Sequence, residues 1–210
     1  MPCEISEARL YAILDLGYVS AEDLEDTAQK LIDGGADLLQ LRAKGHSPQD
    51  IEAMALRVLP ICRAAKVPFI VNDFPGIALK VGADGLHIGQ DDGSLEEARA
   101  IVGASMIVGR STHSPEQAKA AVEEGFDYIG FGPLFPTPTK QGRPGIGMEN
   151  IKWVESLCEC RIPAFCIGGI KRDNLSEVLA AGARRVVIVS DLLMADDITA
   201  ATQSVAEQLS

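Results

Sequence analysis

Four short polar clusters carry most of the chemistry available to this chain: Gln40-Leu41-Arg42-Ala43-Lys44, Asn72-Asp73, Gln90-Asp91-Asp92 and Thr137-Pro138-Thr139-Lys140. Each follows an apolar run too short for a helix and bounded by turn residues, so each is expected where a strand ends. Gln40, Arg42 and Lys44 alternate at period two, which predicts an amide, a guanidinium and an ammonium pointing to one side of a strand end. Asp73 and Asp92, with Asp91 able to replace Asp92 on spacing alone, offer carboxylates from two neighbouring loops. One or two carboxylates, with water and substrate phosphate completing the shell, is what Mg²⁺ takes from a protein. Zinc is not expected, because no His/Cys cluster accompanies the aspartates.

Later segments extend the pattern. In Gly109-Arg110-Ser111-Thr112-His113 the Ser111 hydroxyl can donate to a phosphate oxygen or cap a turn. Phe135 to Gly142 forms a loop with two hydroxyls and two prolines, and Lys140 adds a cation near its end. Its glycine-flanked continuation to Gly147 reads as a lid. Gly168-Gly169 and Val189-Ser190 close two further strands, and glycine there lets backbone amides approach an anion. The residues thus propose two anion sites, one metal-assisted and one for a monophosphate. His87, inside a strand, is expected as a hydrogen-bonded core residue, His46 as solvated, and His113 near the mouth with no assigned role. Trp153 and the methionines are expected in helix packing.

Positioning these clusters requires a repeating scaffold. Gly35-Ala36-Asp37, Gly82-Ala83-Asp84, Gly125-Phe126-Asp127 and Gly182-Ala183-Arg184 each follow a helical pattern and precede a β-type run, 47, 43 and 57 residues apart. Glycine suits the left-handed residue that ends a helix, and a spacing of this size accommodates two strand–helix units. Strands are expected at Leu10–Leu16, Leu38–Arg42, Pro68–Asn72, Gly85–Ile88, Met106–Arg110, Tyr128–Gly132, Ala164–Ile167 and Arg185–Val189. Almost purely apolar runs such as Phe69-Ile70-Val71 suit strands covered on both faces. Between strands, Ser114–Glu124 places Ala118, Ala121 and Val122 on one helical face, with Ser114 as cap, Pro115 in the first turn and Gln117 at the capping-box position. Eight alternating units predict an α/β fold, a single-domain TIM (β/α)₈ barrel over residues 1–210, with its active site at the strand C-terminal ends.

Composition bounds the partners. A net charge of −11 without a basic stripe speaks against nucleic acid and anionic membranes, so small phosphorylated molecules are the expected partners. A homo-oligomer is left open. The five cysteines lack metal-type spacing, Cys158-Glu159-Cys160 being one residue short, and read as reduced thiols. No leader-like opening and no long apolar stretch is legible, so a cytoplasmic location is expected.

Taken together, these motifs resemble those of thiamine phosphate synthases from Leu10 to about Leu193. The match includes Gly85-Leu86-His87-Ile88-Gly89-Gln90-Asp91-Asp92, Gly132-Pro133-Leu134-Phe135-Pro136-Thr137-Pro138-Thr139-Lys140 and Ile167-Gly168-Gly169-Ile170 beside the clusters above. The resemblance implies a transferase joining hydroxymethylpyrimidine diphosphate to a thiazole phosphate, or its carboxylated form, with release of pyrophosphate. It implies that Gln40, Leu41, Arg42, Ala43, Lys44, Asn72, Ser111 and Lys140 contact the diphosphate substrate, and that Asp73 and Asp92 hold Mg²⁺. Thr137, Pro138, Thr139, Gly169, Val189 and Ser190 would hold the thiazole phosphate, with Arg42, Lys44, Ser111 and Lys140 as the catalytic side chains. Phe74 stands where arginine or tyrosine is frequent, and Ala43 where glutamate is frequent. The rivals are a thiazole tautomerase, which resembles this family but carries a histidine where this chain has Pro133, and a noncatalytic thiamine phosphate binder.

Overall fold

Eight parallel strands close into a barrel in chain order: β1 (Leu10–Asp15), β2 (Leu38–Arg42), β3 (Phe69–Asn72), β4 (Gly85–Ile88), β5 (Ile107–Thr112), β6 (Tyr128–Phe131), β7 (Ala164–Ile167) and β8 (Val186–Ile188). The computed structural model describes residues 5–137, 145–158 and 161–210. Every strand end falls within two residues of its sequence-based expectation. The helices among the described residues are α1 (Leu24–Asp33), α2 (Pro48–Ala65), α3 (Pro75–Val81), α4 (Leu95–Val102), α5 (Pro115–Glu124), α6 (Ile151–Cys158), α7 (Leu175–Ala180), α8 (Ser190–Leu193) and α9 (Ile198–Leu209).

The glycine repeat has a physical basis in pairs of strands. Gly35, Gly82, Gly125 and Gly182 all adopt positive φ, between 70° and 107°. The aspartate that follows each of the first three ties two strands together at the barrel floor. Asp37 accepts from the amides of Arg9 and Leu10 at 2.8 and 2.9 Å, Asp84 from that of Phe69 at 2.9 Å, and Asp127 from that of Val108 at 2.7 Å. The fourth unit carries Arg184 instead, and its own amide donates to Glu155 at 3.1 Å. The carboxylate comes from α6 there, so the floor is closed by the same chemistry from a different position.

Period-two alternation sorts the strand residues into two layers. Leu10, Ala12, Leu14, Leu39, Leu41, Phe69 and Val71 pack outward against the helices. Tyr11, Ile13, Leu38, Ile70, Tyr128, Phe165 and Val187 fill the interior. Tyr11, Tyr128 and Phe165 meet edge to face with centroids 5.4 to 5.8 Å apart. Such pairs contribute about 0.5–1.5 kcal/mol each beyond their burial. Gly109 makes room for them: a Cβ there would lie 2.0 Å from the Tyr128 ring.

Helix α5 shows how local signals place a site residue. Ser114 accepts from the amide of Gln117 at 3.3 Å, as expected of the cap. The Gln117 side chain reaches one residue further back and accepts from the His113 amide at 2.8 Å. Two helix-packing expectations do not hold: Trp153 is half-exposed and Met194 is largely exposed.

Candidate active site

At the C-terminal mouth of the barrel a cavity encloses about 870 Å³, its open end included. Its wall draws on every strand: Tyr11, Ile13 and Asp15 from β1, Gln40 and Arg42 from β2, Asn72, His87 and Ser111 from β3 to β5, and Gly130 from β6. His113 and the segment after β6 contribute next, with Gly132, Pro133 and Thr137, followed by Ile167 to Ile170, Val187, Val189 and Ser190. A space of this size suits a ligand of drug-like bulk with a few placed polar groups.

Charge enters on the β1–β2 side. One Arg42 Nη1–H donates to Asp15 Oδ2 at 2.6 Å, and Asp15 Oδ1 accepts from the Gly17 amide at 2.9 Å. Asp15 is 1 % exposed, so its carboxylate relies on such contacts in place of water and holds the guanidinium at the wall. The expected alternation stops here. Lys44 lies in the turn beyond β2, is exposed, and pairs with Asp73 at 3.3 Å outside the cavity lining. Leu41 and Ala43 point outward into the strand–helix layer, so only their backbone faces the site end.

Asp73 and Asp92 come together at the rim. Asp73 has φ +67°, a left-handed conformation that an aspartate tolerates and that turns it toward Asp92. Asp92 Oδ2 accepts from the Gly89 amide at 2.7 Å. The loop that carries it is tied to β5: Gln90 Nε2 donates to the Ser111 carbonyl at 2.5 Å, and Arg110 Nη1 donates to the Gly93 carbonyl at 2.6 Å. Burial raises the Asp73 carboxyl above its usual range and the Asp92 charge adds to this, against the pull of Lys44. Two carboxylates that repel one another are relieved by a hard cation, and the all-oxygen donor pair fits Mg²⁺. Among the described residues no group of three or more His, Cys, Asp or Glu side chains could hold a metal ion. Magnesium needs no such group when water and phosphate complete its shell.

The opposite wall is built from backbone. Gly168 and Gly169 adopt φ +96° and +68°, and an added Cβ would lie 2.3 Å from Pro133 and 2.6 Å from Phe135 respectively. Glycine is required at both by conformation and by close approach. Asn174 Nδ2 donates to the Gly169 carbonyl at 3.0 Å and steadies the turn. The amides of Leu134 and Phe135 donate to the carbonyls of Ile167 and Gly168, which fixes the segment leading to Thr137. Val189 and Ser190 complete this wall where β8 gives way to α8. Pro138, Thr139 and Lys140, the rest of the expected thiazole and cation loop, lie outside the described residues.

Several lining residues were not picked from sequence. Asp15 ends β1 as the other clusters end their strands, and that position was the available signal. Tyr11 looks like a core aromatic in an apolar run, as does Tyr128, its hydrogen-bond partner outside the lining. His87 is hydrogen-bonded as expected, yet it also faces the cavity. The His113 Nδ1 sits 2.5 Å from the Gly132 carbonyl, an acceptor only, so Nδ1 carries the proton. Phe74 packs partly buried against the outer layer. The thiols of Cys62 and Cys158 are pushed up by burial to about 12 and about 11, and that of Cys166 rises too, which fits inert packing.

Comparison with known proteins agrees with this geometry. A curated thiamine-phosphate synthase of Thermus thermophilus is 44% identical over 191 residues, covering 90% of this chain and 91% of that protein. Its counterpart in Mycolicibacterium smegmatis is 42% identical over 198 residues, covering 90% and 86%. A solved structure, the thiamine phosphate pyrophosphorylase from Pyrococcus furiosus, superimposes with a TM-score of 0.85 at 30% identity over 96% of this chain and 95% of that one. A 3-hexulose-6-phosphate synthase, at 19% identity and a TM-score of 0.68, shares the fold alone. The thiamine monophosphate synthase family model matches residues 10–192, and with the cavity, the carboxylate pair and the glycine turn in place, the chain belongs to that family.

Proposed function

We propose that this chain is a cytoplasmic transferase that condenses hydroxymethylpyrimidine diphosphate with thiazole phosphate, or its carboxylated form, to give thiamine phosphate and pyrophosphate. The observation that carries the reading is the division of one cavity between a polar side with Arg42, Asn72 and Ser111, whose β3 strand runs on directly into Asp73 of the Asp73–Asp92 pair, and a glycine wall at Gly168, Gly169 and Ser190. A diphosphate suits the first and a monophosphate the second.

The chemistry asked of the chain is positional and electrostatic. The bond between the pyrimidine methylene carbon and the bridging oxygen breaks first, its electron pair leaving with pyrophosphate. The electron-rich aminopyrimidine supports the resulting cation. The thiazole nitrogen lone pair then forms the new carbon–nitrogen bond. Arg42, with Lys44 and Lys140, is placed in this reading to offset the growing negative charge, and Ser111 donates a hydrogen bond to it. When bound by Asp73 and Asp92, Mg²⁺ would act as a Lewis acid on the leaving group. The glycine wall, Thr137 and Ser190 hold the thiazole phosphate so that its nitrogen faces the cation. No protein nucleophile is needed.

The test incubates purified protein with Mg²⁺ and both substrates and follows thiamine phosphate by its fluorescent oxidation product. Product that needs both substrates and disappears on chelation supports the reading. A folded protein that forms none, but interconverts thiazole phosphate tautomers, would be the isomerase instead.

A further inference from the structure

Below the cavity mouth three side chains, Tyr11, Tyr128 and His87, join Gln40 to Ser111 through four consecutive hydrogen bonds. Gln40 Nε2 lies 2.6 Å from Tyr11 Oη, Tyr11 Oη 2.9 Å from Tyr128 Oη, and Tyr128 Oη 3.0 Å from His87 Nδ1. His87 Nε2 then lies 2.9 Å from Ser111 Oγ, at the cavity wall. Proton counting gives the chain a direction. Tyr11 Oη accepts the Gln40 amide proton, so its own proton goes to Tyr128 Oη. Tyr128 Oη has accepted, so its proton goes to His87 Nδ1. An imidazole accepting at Nδ1 carries its proton on Nε2 and donates to Ser111 Oγ. The Ser111 hydroxyl proton cannot point back along this bond and turns to the cavity. Burial pushes both phenols above their ordinary values, so both retain the protons this count requires.

We propose that Tyr11, Tyr128 and His87 are positioning residues whose directed hydrogen-bond relay fixes His87 as its Nε2–H tautomer and turns the Ser111 hydroxyl proton into the cavity, as a donor for the diphosphate end of the substrate. The role in turnover rests on the transferase reading; the direction of the relay does not. The opposite polarity would need the Gln40 amide to present its oxygen to Tyr11. His87 would then be protonated on Nδ1, and Ser111 would spend its proton on the imidazole instead of the ligand. A donor already aimed at developing charge acts without reorganisation in the transition state. Loss of the relay therefore falls on kcat and not on binding of the thiazole phosphate.

The test is ¹⁵N NMR of the imidazoles in the full-length protein, with His87 assigned among the three histidines by comparison with His87→Gln. Nε2 protonated and Nδ1 bare is the expected result; the reverse tautomer overturns the relay. In turnover, Tyr128→Phe should lower kcat about tenfold, roughly the worth of one net hydrogen bond, with the KM for thiazole phosphate unchanged. The same substitution in a Ser111→Ala background should cost nothing further, because the relay acts through that hydroxyl; equal losses in both backgrounds would overturn it. Should Tyr128→Phe not fold, the tautomer in the unsubstituted protein still decides. An Nε2–H tautomer in a protein that makes no thiamine phosphate would support the relay and remove the transferase reading. Product with an Nδ1–H tautomer would do the reverse.

Discussion

The two sides of the cavity mouth are built by different means. Between β2 and β5 the tools are side chains: Arg42 on Asp15 in the lining, and, on the loops just outside it, Lys44 on Asp73 and Asp73 against Asp92. Between β7 and β8 they are turns, with Gly168 and Gly169 in left-handed conformations and Val189-Ser190 at the start of α8. The first wall depends on charge and on counter-charges that hold each group in place. The second depends on backbone shape that a single Cβ would spoil. The chain has a net charge of −11, and local pairs confine its cations where they are wanted. Under the proposed function, damage to the first wall should appear in the metal dependence and in departure of the diphosphate. Damage to the second should appear in monophosphate affinity.

Arg42→Ala should have the largest effect. It removes the wall's cation and leaves the buried Asp15 carboxylate unpaired. Turnover should fall on the order of 10²–10³-fold, and stability by about 3 kcal/mol in urea unfolding. Adding Asp15→Asn should restore much of the stability and none of the rate. If Arg42→Ala raised only the KM for thiazole phosphate, the division between walls would be wrong. Asp92→Ala comes next: the Mg²⁺ concentration for half-maximal rate should rise at least about tenfold, the scale set by metal-site partners. An unchanged metal dependence would remove Asp92 from the ligand set. Gly169→Ala should cost about 1–3 kcal/mol for its positive φ and raise the KM for thiazole phosphate roughly tenfold without altering the Mg²⁺ requirement. Ser190→Ala keeps the backbone amide and should weaken that KM only about two- to fivefold, one modest hydrogen bond. Complete loss of binding would give the hydroxyl the main role.

The contrast also explains what the sequence made legible. Glycines, strand-end aspartates and cations stand out against apolar runs, so the barrel, the turn at Gly168-Gly169 and the Asp73–Asp92 pair could be read directly. Alternation does not carry Lys44 to the side of Gln40 and Arg42, because it holds only while the strand lasts and β2 ends at Arg42. Leu41 and Ala43 matched a motif, but period two sends their side chains outward. Asp15 needed only the rule already applied to the other strands. The Tyr11–Tyr128–His87 chain was illegible, because closing the barrel brings residues 117 positions apart into hydrogen-bond contact and Gly109 opens the space for it. Such contacts depend on closure and register, which no local pattern encodes.

The most direct test of the two-wall account is calorimetric titration of pyrophosphate and of thiazole phosphate, each with Mg²⁺ and with chelator. Pyrophosphate affinity should fall at least about tenfold on chelation, while thiazole phosphate affinity stays within about twofold. Equal metal dependence for both anions, or none for pyrophosphate, would contradict the account.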